Sequence, residues 1–520
     1  MRAYVSKVPN GAGATAVRVV WKQGRRQVGL QHVGTGRTPG DVALLVGAAW
    51  EIVHAGQDLL PGVADGQGAA WSGRAVSGAR VTGTVSAVLW EVLETVWSQL
   101  GFDDAVGDKA FKALALARVI EPTSKLDSAR VLAEAGAWAP ANATIYRCLR
   151  RCQERGYRDR LAKACWVFAG PRASLLLYDV TTLYFETDTA DGFRIPGYSK
   201  ERRLEPQIVV GLLVDQAGFP LGVQAFEGSL GETLTIAPVV EQFAKLRGLG
   251  TFTVVADAAM LSEHNLGELA GAGFDFIVGS RIAHVPWSIA EHTRADPCQP
   301  LADRQVFVEP VLMGTKKDGF RRYAAVYQYR QARAERDLKT IAAQVVKAEA
   351  VIAGTRKAKN TRFVTAIDKT TLALNDDLVA SARARAGIKG YVTSLPVAGC
   401  PGRPVPDGVT PVDPLTVIDS YHQLFEVERS FRMSKTDLRA RPMFSHIRDS
   451  IEAHLTMVMA ALAVSRTIQA RTHMSIRRFV RTLRPLRAAH IQIGQQTITV
   501  PPAIDTATQA TIHAATKNPV

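Results

Sequence analysis

The stretch Ser174-Leu-Leu-Leu-Tyr-Asp179 is a short apolar run that ends in a carboxylate, and the architecture of the chain follows from it. The run Thr251-Phe-Thr-Val-Val-Ala-Asp257 repeats the same design further along. Short apolar runs flanked by loop signals are typical of the buried strands of an α/β sheet. An aspartate at the end of such a strand meets the sheet edge where α/β proteins usually bind ligands. Each aspartate alone is also compatible with a strand-terminating or helix-capping role, so both interpretations stay open.

A third acid stands on a predicted helix, Tyr421-His-Gln-Leu-Phe-Glu-Val-Glu-Arg-Ser-Phe-Arg-Met-Ser-Lys435. At about 100° per residue, Tyr421, Leu424, Glu428, Phe431 and Lys435 fall within an arc of roughly 80°. Considered alone, Glu428 and Lys435 could simply form an ion pair at the edge of this face. Together with the two aspartates, Glu428 becomes a candidate third ligand, because three hard oxygen ligands can hold two divalent cations.

The ordered set of motifs resembles an insertion-sequence transposase of the DDE class, in the branch with the signature Tyr-x2-Arg-x3-Glu-x6-Lys. Tyr421, Glu428 and Lys435 match that spacing, whereas Leu424 occupies the position of the family's arginine. The resemblance covers roughly residues 1 to 470. Further segments that look like this group are Tyr178–Glu186, Gly197-Tyr-Ser-Lys200, Val209–Asp215, Glu121-Pro-Thr-Ser-Lys125 and Leu438-Arg-Ala-Arg-Pro442.

The resemblance implies an RNase H-like core and metal-dependent phosphoryl transfer on DNA. Asp179, Asp257 and Glu428 would be the catalytic residues and would coordinate two Mg²⁺ ions, with Mn²⁺ as a substitute. Tyr421 and Lys435 would touch the DNA backbone, and Arg432 would compensate for the missing arginine. The expected partners are the terminal inverted repeats of an element and a target DNA, handled by a homodimer.

The order of apolar runs predicts an α/β fold with a mixed sheet flanked by helices. The core is predicted in two parts, the first at 169–280 and the second, with the Glu428 helix, at 389–470. The first part reads as strands at 174–186, 207–215 and 220–226, a helix at 233–247, a strand at 251–256, a helix at 262–271 and a strand at 274–279. The chain between Asp257 and Glu428 is longer than one strand–helix unit needs. We therefore expect an insertion domain at 281–388, mainly β as in the resembled family.

Two flanking regions and a tail complete the predicted organisation. Residues 1–84 read as a β-hairpin followed by a turn-rich linker, and residues 85–168 read as a helical array. Within that array Arg147, Arg150 and Arg151 could straddle DNA phosphates, although a solvated helix face explains the same pattern. Residues 466–487 hold seven arginines and no acid, so the tail at 471–520 is a second candidate DNA contact.

Composition agrees with a polyanionic partner. The chain has 63 Lys and Arg against 48 Asp and Glu, a formal net charge of +15, which favours nucleic acid before anionic membrane. The apolar run around 455–464 is too short to span a bilayer, and the N-terminus lacks a signal-peptide core, so we expect a cytoplasmic protein without a membrane. The five cysteines show no zinc-site spacing and suit a reducing compartment.

Three alternative functions remain open from the sequence. One is a transposase-derived DNA-binding regulator that has lost catalysis, against which the presence of all three acids argues. Another is a structure-selective, metal-dependent endonuclease on the same core, against which the long insertion and the Tyr/Glu/Lys spacing argue. The third is an unrelated basic enzyme whose acids coincide by chance.

Overall fold

The computed structural model describes residues 2–9, 14–24, 26–54, 80–170, 174–186, 189–197, 205–236, 238–241, 252–258, 262–315, 319–357, 361–367, 371–441, 443, 445, 447–493 and 496–517. Part of the predicted linker, most of the helix predicted at 233–247, residues 198–200 of the Gly197 motif and Pro442 lie outside the described residues. The chain divides into two compact units, Met1–Ala75 and Val76–Val520.

The first unit is a small sheet with one helix. Its strands are β1 (Arg2–Pro9), β2 (Thr15–Gln23) and β3 (Arg26–Gly36), and its helix is α1 (Pro39–His54). β2 lies between the other two strands and is antiparallel to both, so the expected hairpin of β2 and β3 gains a preceding strand. Val17, Val19 and Ala49 form the buried centre where the sheet meets α1.

The second unit begins with a strand and a helical array. These elements are β4 (Arg80–Val85), α2 (Ala87–Gln99), α3 (Phe102–Val106), α4 (Lys109–Ile120), α5 (Ser128–Ala135), α6 (Asn142–Glu154) and α7 (Tyr157–Ala169). Apolar side chains at helical spacing along α2 are buried, as their periodicity predicts. A turn-rich linker was expected up to residue 84, whereas β4 is a strand of this unit.

The core sheet follows the RNase H-like plan. It contains β5 (Leu175–Tyr184), β6 (Gln207–Val214), β7 (Pro220–Glu227), β8 (Thr253–Ala256) and β9 (Asp275–Ser280), with α8 (Glu263–Gly271) between the last two. In space the order is β7-β6-β5-β8-β9. The first three strands are antiparallel neighbours, whereas β5, β8 and β9 run parallel. All eight residues of β6 are buried, because both faces of the sheet are covered.

The segment 281–388 differs from the mainly β insertion that the sequence suggested. It contains α9 (Trp287–Ala295), β10 (Val306–Thr315), β11 (Gly319–Tyr329), α10 (Gln331–Ile352), β12 (Val364–Ala366), β13 (Leu372–Leu374) and α11 (Asp376–Ala384), so its helices span more residues than its strands. β10 and β11 join the core sheet, which β14 (Ile388–Thr393) extends to the order β10-β11-β14-β9 on that side. Strand patterning identified both strands but could not tell which sheet they would join.

The chain then returns to the core. Its last elements are β14 (Ile388–Thr393), α12 (Pro414–His422), α13 (Leu424–Arg432), a π-helical turn (Met433–Asp437), α14 (Arg448–Thr472), α15 (Ile476–Leu483), β15 (Ala488–Ile493), β16 (Gln496–Val500) and α16 (Thr506–Thr516). β15 pairs with both β16 and β4, so the tail predicted at 471–520 folds onto the start of the same unit.

Helix α14 is the centre of the second unit. Every residue from Ile451 to Ile468 is buried. The helix has 25 residues and is long and apolar enough to cross a membrane by length and composition, so the expectation that it is too short was wrong. Its most apolar segment is nevertheless 100% buried inside the protein. We interpret it as a core helix, since it packs against α2, α4, α6, α7 and β7.

Candidate active site

Asp179 and Asp257 lie side by side at one edge of the parallel part of the sheet. β5 and β8 are adjacent and parallel, with Tyr178 opposite Ala256, and each aspartate is the next residue. β5 continues to Tyr184, so Asp179 is inside the strand and not at its end as the sequence suggested. β8 stops at Ala256, whereas β5 continues past that point. Asp179 is half-buried, and Asp257 is exposed.

The Asp257 carboxylate is held by two donors. Its Oδ1 accepts hydrogen bonds from the Ala258 amide at 2.7 Å and from the Tyr421 hydroxyl at 2.9 Å. Burial raises the pKa of Tyr421, and the adjacent Asp257 charge raises it further, so the phenol stays protonated and donates at neutral pH. Gly279 makes room for this contact, because a β-carbon there would come within 2.6 Å of the Tyr421 hydroxyl.

The helix expected to run unbroken from 421 to 435 is divided into three pieces. α12 ends at His422, α13 runs from Leu424 to Arg432, and the π turn follows from Met433. This segment is tied to the sheet at both ends, by Tyr421 on Asp257 and by Lys435, whose Nζ donates to Thr181 Oγ1. α13 packs on β5 and β6 between these two contacts.

Glu428 is exposed on α13, adjacent to the stripe of buried residues that includes Leu424 and Phe431. Both Glu428 and Lys435 are described, and no ion pair between them is found, because the ammonium is directed to the strand. The simple ion-pair interpretation of this face is therefore not supported. Glu426, two residues earlier, pairs with buried Arg466 at 2.6 Å and with Arg429 at 2.9 Å, so its carboxylate stabilises the fold.

The three acids are not assembled into one cluster. Within the described part of the chain, no group of three or more His, Cys, Asp or Glu residues lies close enough to hold a metal ion. Asp179 and Asp257 together fit a hard divalent cation, because carboxylate oxygens at one sheet edge are the ligands that Mg²⁺ prefers. The structure thus aligns two acids of the set and places Glu428 on the neighbouring helix.

The position of the signature arginine is apolar in structure as well as in sequence. Leu424 is 9% exposed and belongs to the main core. Arg432 is exposed one turn beyond Glu428. Leu424 is therefore buried at the position of the family's arginine, whereas Arg432, the residue expected to compensate, is exposed.

A sequence model of the family described as "Transposase DDE domain" matches residues 170–464, more than half of the chain and the whole span from Asp179 to Glu428. The chain belongs to this family. DDE transposases generally use divalent metal ions. No curated protein matches the sequence.

One solved structure that the transposase resembles is a piggyBac transposase synaptic complex with hairpin DNA, determined by cryo-EM. The identity is 10%, the match covers 77% of this chain and 70% of that chain, and the TM-score is 0.34. At such a TM-score the similarity carries no structural argument. The RNase H-like plan of this transposase rests on its own strand order.

A basic cleft of about 440 Å³ beside Asp257 and Tyr421 was missed from the sequence. Its cations are Arg333, Arg362, Arg385 and Lys389. The Lys389 ammonium lies 4.5 Å from the centroid of the Tyr421 ring. Burial lowers the pKa of Lys389, and the charge of Arg333 lowers it further. No motif marks these residues, and the available signal was only that Lys389 directly precedes the strand predicted to return to the core at Gly390.

The basic residues predicted on α6 of the transposase fall into two groups. Arg147 and Arg150 are exposed, and Arg147 donates to the nearby Thr144 hydroxyl at 3.2 Å. Arg151 instead donates from Nε and Nη2 to Asp108 Oδ2, at 2.8 and 2.6 Å, and the same carboxylate caps α4. Arg151 is thus engaged within the fold.

Several tail arginines are similarly engaged. Arg484 pairs with Glu121 and Glu134 at 2.6 and 2.7 Å, and Arg477 pairs with Asp437 at 2.6 Å. The arginine count of the tail therefore overstates the positive charge that the transposase offers to DNA there.

Proposed function

We propose that this transposase binds the ends of an insertion sequence, cuts the DNA there and joins the released 3′-hydroxyls to target DNA. The observation that carries the proposal is the placement of the acids. Asp179 and Asp257 stand on adjacent strands, and Glu428 lies on a helix tied to that sheet edge on both sides. All three lie within the family domain.

Asp179, Asp257 and Glu428 are the proposed ligands of two Mg²⁺ ions, for which Mn²⁺ can substitute. When bound, such ions supply an activated nucleophile and neutralise charge on the leaving oxygen. Glu428 is exposed and the three acids form no metal-binding group among the described residues, so α13 or the Glu428 side chain has to move to complete the set. Bound metal and DNA would favour that movement because they interact with the assembled state alone.

The residues around the acids have positioning and charge roles in this proposal. The Tyr421 hydroxyl fixes the orientation of the Asp257 carboxylate, and the Lys435–Thr181 contact holds the end of the Glu428 segment on β5. Lys389 and its arginine neighbours attract phosphate to the Asp257 side of the site. Tyr421, Lys435 and Arg432 remain proposed contacts to the DNA backbone.

The proposed partners are the terminal inverted repeats and the target DNA, bound by a homodimer that works in the cytoplasm. Arg147 and Arg150 are proposed phosphate contacts of the helical array, because they are exposed on one helix. Arg151 keeps this proposed role only if it leaves Asp108 when DNA binds.

Cleavage of end-containing DNA tests the proposal. The protein is incubated with Mg²⁺ or Mn²⁺ and a duplex bearing the terminal repeats of the element, and cut products are resolved on a gel. We expect end-specific cleavage that is lost in Glu428→Gln while DNA binding is retained. Glu349→Gln, at an exposed position of α10, is the matched control and should cut normally.

The other outcomes separate the alternative functions. Binding without cleavage by the unaltered protein would favour a regulator that has lost catalysis. Cleavage of branched or flapped DNA in preference to the terminal repeats would favour a structure-selective endonuclease.

A further inference from the structure

Two motifs that are distant in sequence meet at a second cleft, away from the three acids. The Glu121–Lys125 motif supplies Thr123, Ser124 and Lys125, and the Leu438–Pro442 motif supplies Arg439 and Arg441. Together with parts of α4, α6 and α14 they enclose about 580 Å³. The proposed chemistry uses neither motif, so their meeting requires its own explanation.

The cleft is a concentration of positive charge. Its lining includes Arg118, Lys125, Arg439 and Arg441. Among the lining residues that the structure describes, none has a carboxylate. By contrast, buried Arg466 is paired with an acid, Glu426, at 2.6 Å.

The two innermost cations have neutral partners. Arg118 Nη1 donates to the carbonyls of Leu438 and Arg439 at 2.8 and 3.2 Å, and Lys125 Nζ donates to Ser445 Oγ at 2.9 Å. Burial lowers the pKa of Arg118 to about 10, and burial and then the charge of Arg118 lower the pKa of Lys125. Cations held together without a counter-charge are costly, and an anion between them removes that cost.

The outer cations are positioned by the backbone and by an aromatic ring. Arg439 has φ of 44°, in the left-handed region that a non-glycine residue rarely adopts. Its carbonyl is held by Arg118 in that conformation. Arg441 lies over the Tyr184 ring, 5.6 Å from the centroid. Backbone strain retained beside a charged cleft is typical of a binding site.

The cleft is connected to the proposed active site by β5. Tyr184 lies on the same strand as Asp179, and its carbonyl accepts from the Met443 amide at 3.4 Å. The five residue-to-residue steps from Asp179 to Tyr184 span roughly 16 Å at about 3.3 Å per step. That length corresponds to about five base pairs of duplex at roughly 3.4 Å each.

We propose that this cleft binds a backbone phosphate of the DNA, about five base pairs from the position held at Asp179. The inference rests on the proposed function for the nature of the ligand and adds a second, non-catalytic grip on the same duplex. Lys125 and Arg441 are the proposed phosphate contacts, with Arg118 supporting the loop that carries Arg439.

Salt-dependent DNA binding tests this proposal. Fluorescence anisotropy with a labelled duplex bearing the terminal repeats is measured in EDTA, so that no cleavage occurs, over a range of NaCl concentrations. We expect Lys125→Gln and Arg441→Gln each to weaken binding roughly tenfold at low salt and to reduce the slope of log K against log salt by about one. Lys347→Gln, at an exposed position of α10, should leave both quantities unchanged.

Thermal melting in inorganic phosphate, compared with chloride at equal ionic strength, is measured on the same variants and shows whether each one folds. Affinity and slope equal to those of the Lys347 variant would overturn the proposal. It would also be overturned if Lys125→Gln lost only a stabilisation by inorganic phosphate, since the cleft would then be a small-anion site. Protein that binds through the cleft and never cuts would refute only the proposed function, and protein that cuts but ignores both substitutions would refute only the cleft.

Discussion

Two glutamates that stand two residues apart on α13 should respond oppositely to the same substitution. Glu426 pairs with Arg466, and the side chains are 23% and 7% exposed. Removing one partner of a buried ion pair costs about 3–5 kcal/mol. Glutamine at 426 keeps an acceptor for the guanidinium and the site is partly hydrated, so we expect Glu426→Gln to destabilise the second unit by about 2 kcal/mol.

Glu428→Gln should have almost no effect on stability. Its side chain is exposed and forms no ion pair with the residues that the structure describes. Exposed substitutions of this kind usually change the free energy of unfolding by less than about 0.5 kcal/mol. If Glu428 is the third metal ligand, the same change should abolish metal-dependent cleavage.

Urea unfolding and the cleavage assay are run on both variants. With a slope of about 3 kcal/mol per molar urea, the midpoint of Glu426→Gln should fall by roughly 0.7 M while the folded protein still cuts DNA. Glu428→Gln should keep the midpoint and lose cleavage. The reverse result, a folded Glu426→Gln that does not cut and a Glu428→Gln that does, would move the third acid to Glu426.

Two further predictions concern the surroundings of the acids. Gly279→Ala should reduce cleavage several-fold with little loss of DNA affinity, because the new methyl group would lie within 2.6 Å of the Tyr421 hydroxyl; normal cleavage rates in a folded variant would contradict the positioning role. Arg151→Ala should lower the free energy of unfolding by about 2 kcal/mol, since it leaves half-buried Asp108 without its guanidinium partner. Arg150→Ala should leave the unfolding midpoint unchanged and reduce the slope of log K against log salt for DNA binding by about one. Equal effects of the two arginine variants on both assays would contradict the division of α6.

Local patterns predicted most of the core. The apolar runs before Asp179 and Asp257 are strands β5 and β8, and the turn residues Gly218 and Pro220 correctly separated β6 from β7. These predictions succeed because burial on both faces of a central strand demands a continuous apolar run, which is visible in a single sequence. The register that places the two aspartates side by side then follows from the parallel pairing of β5 and β8.

What the sequence could not supply was the identity of distant partners. Arg151 reads as one more exposed arginine on a basic helix, and only the fold brings Asp108 to it. β10 and β11 read as strands, but their membership of the core sheet depends on β14, which follows much later in the chain. The cleft formed by Lys125 and Arg441 could not be foreseen for the same reason.

The interruption of the Glu428 helix also explains how three residues at the spacing Tyr-x6-Glu-x6-Lys can have different surroundings. In one continuous α-helix, residues seven apart lie about 10.5 Å apart along the axis and nearly on one face. The break at Gln423 and the π turn from Met433 change how Tyr421 and Lys435 project relative to Glu428. Both outer side chains are thereby directed onto the sheet, at Asp257 and Thr181, whereas Glu428 between them stays exposed. A helix fixed at two points on the strands that carry the aspartates limits where Glu428 can move, which is what a third ligand recruited by metal and DNA requires.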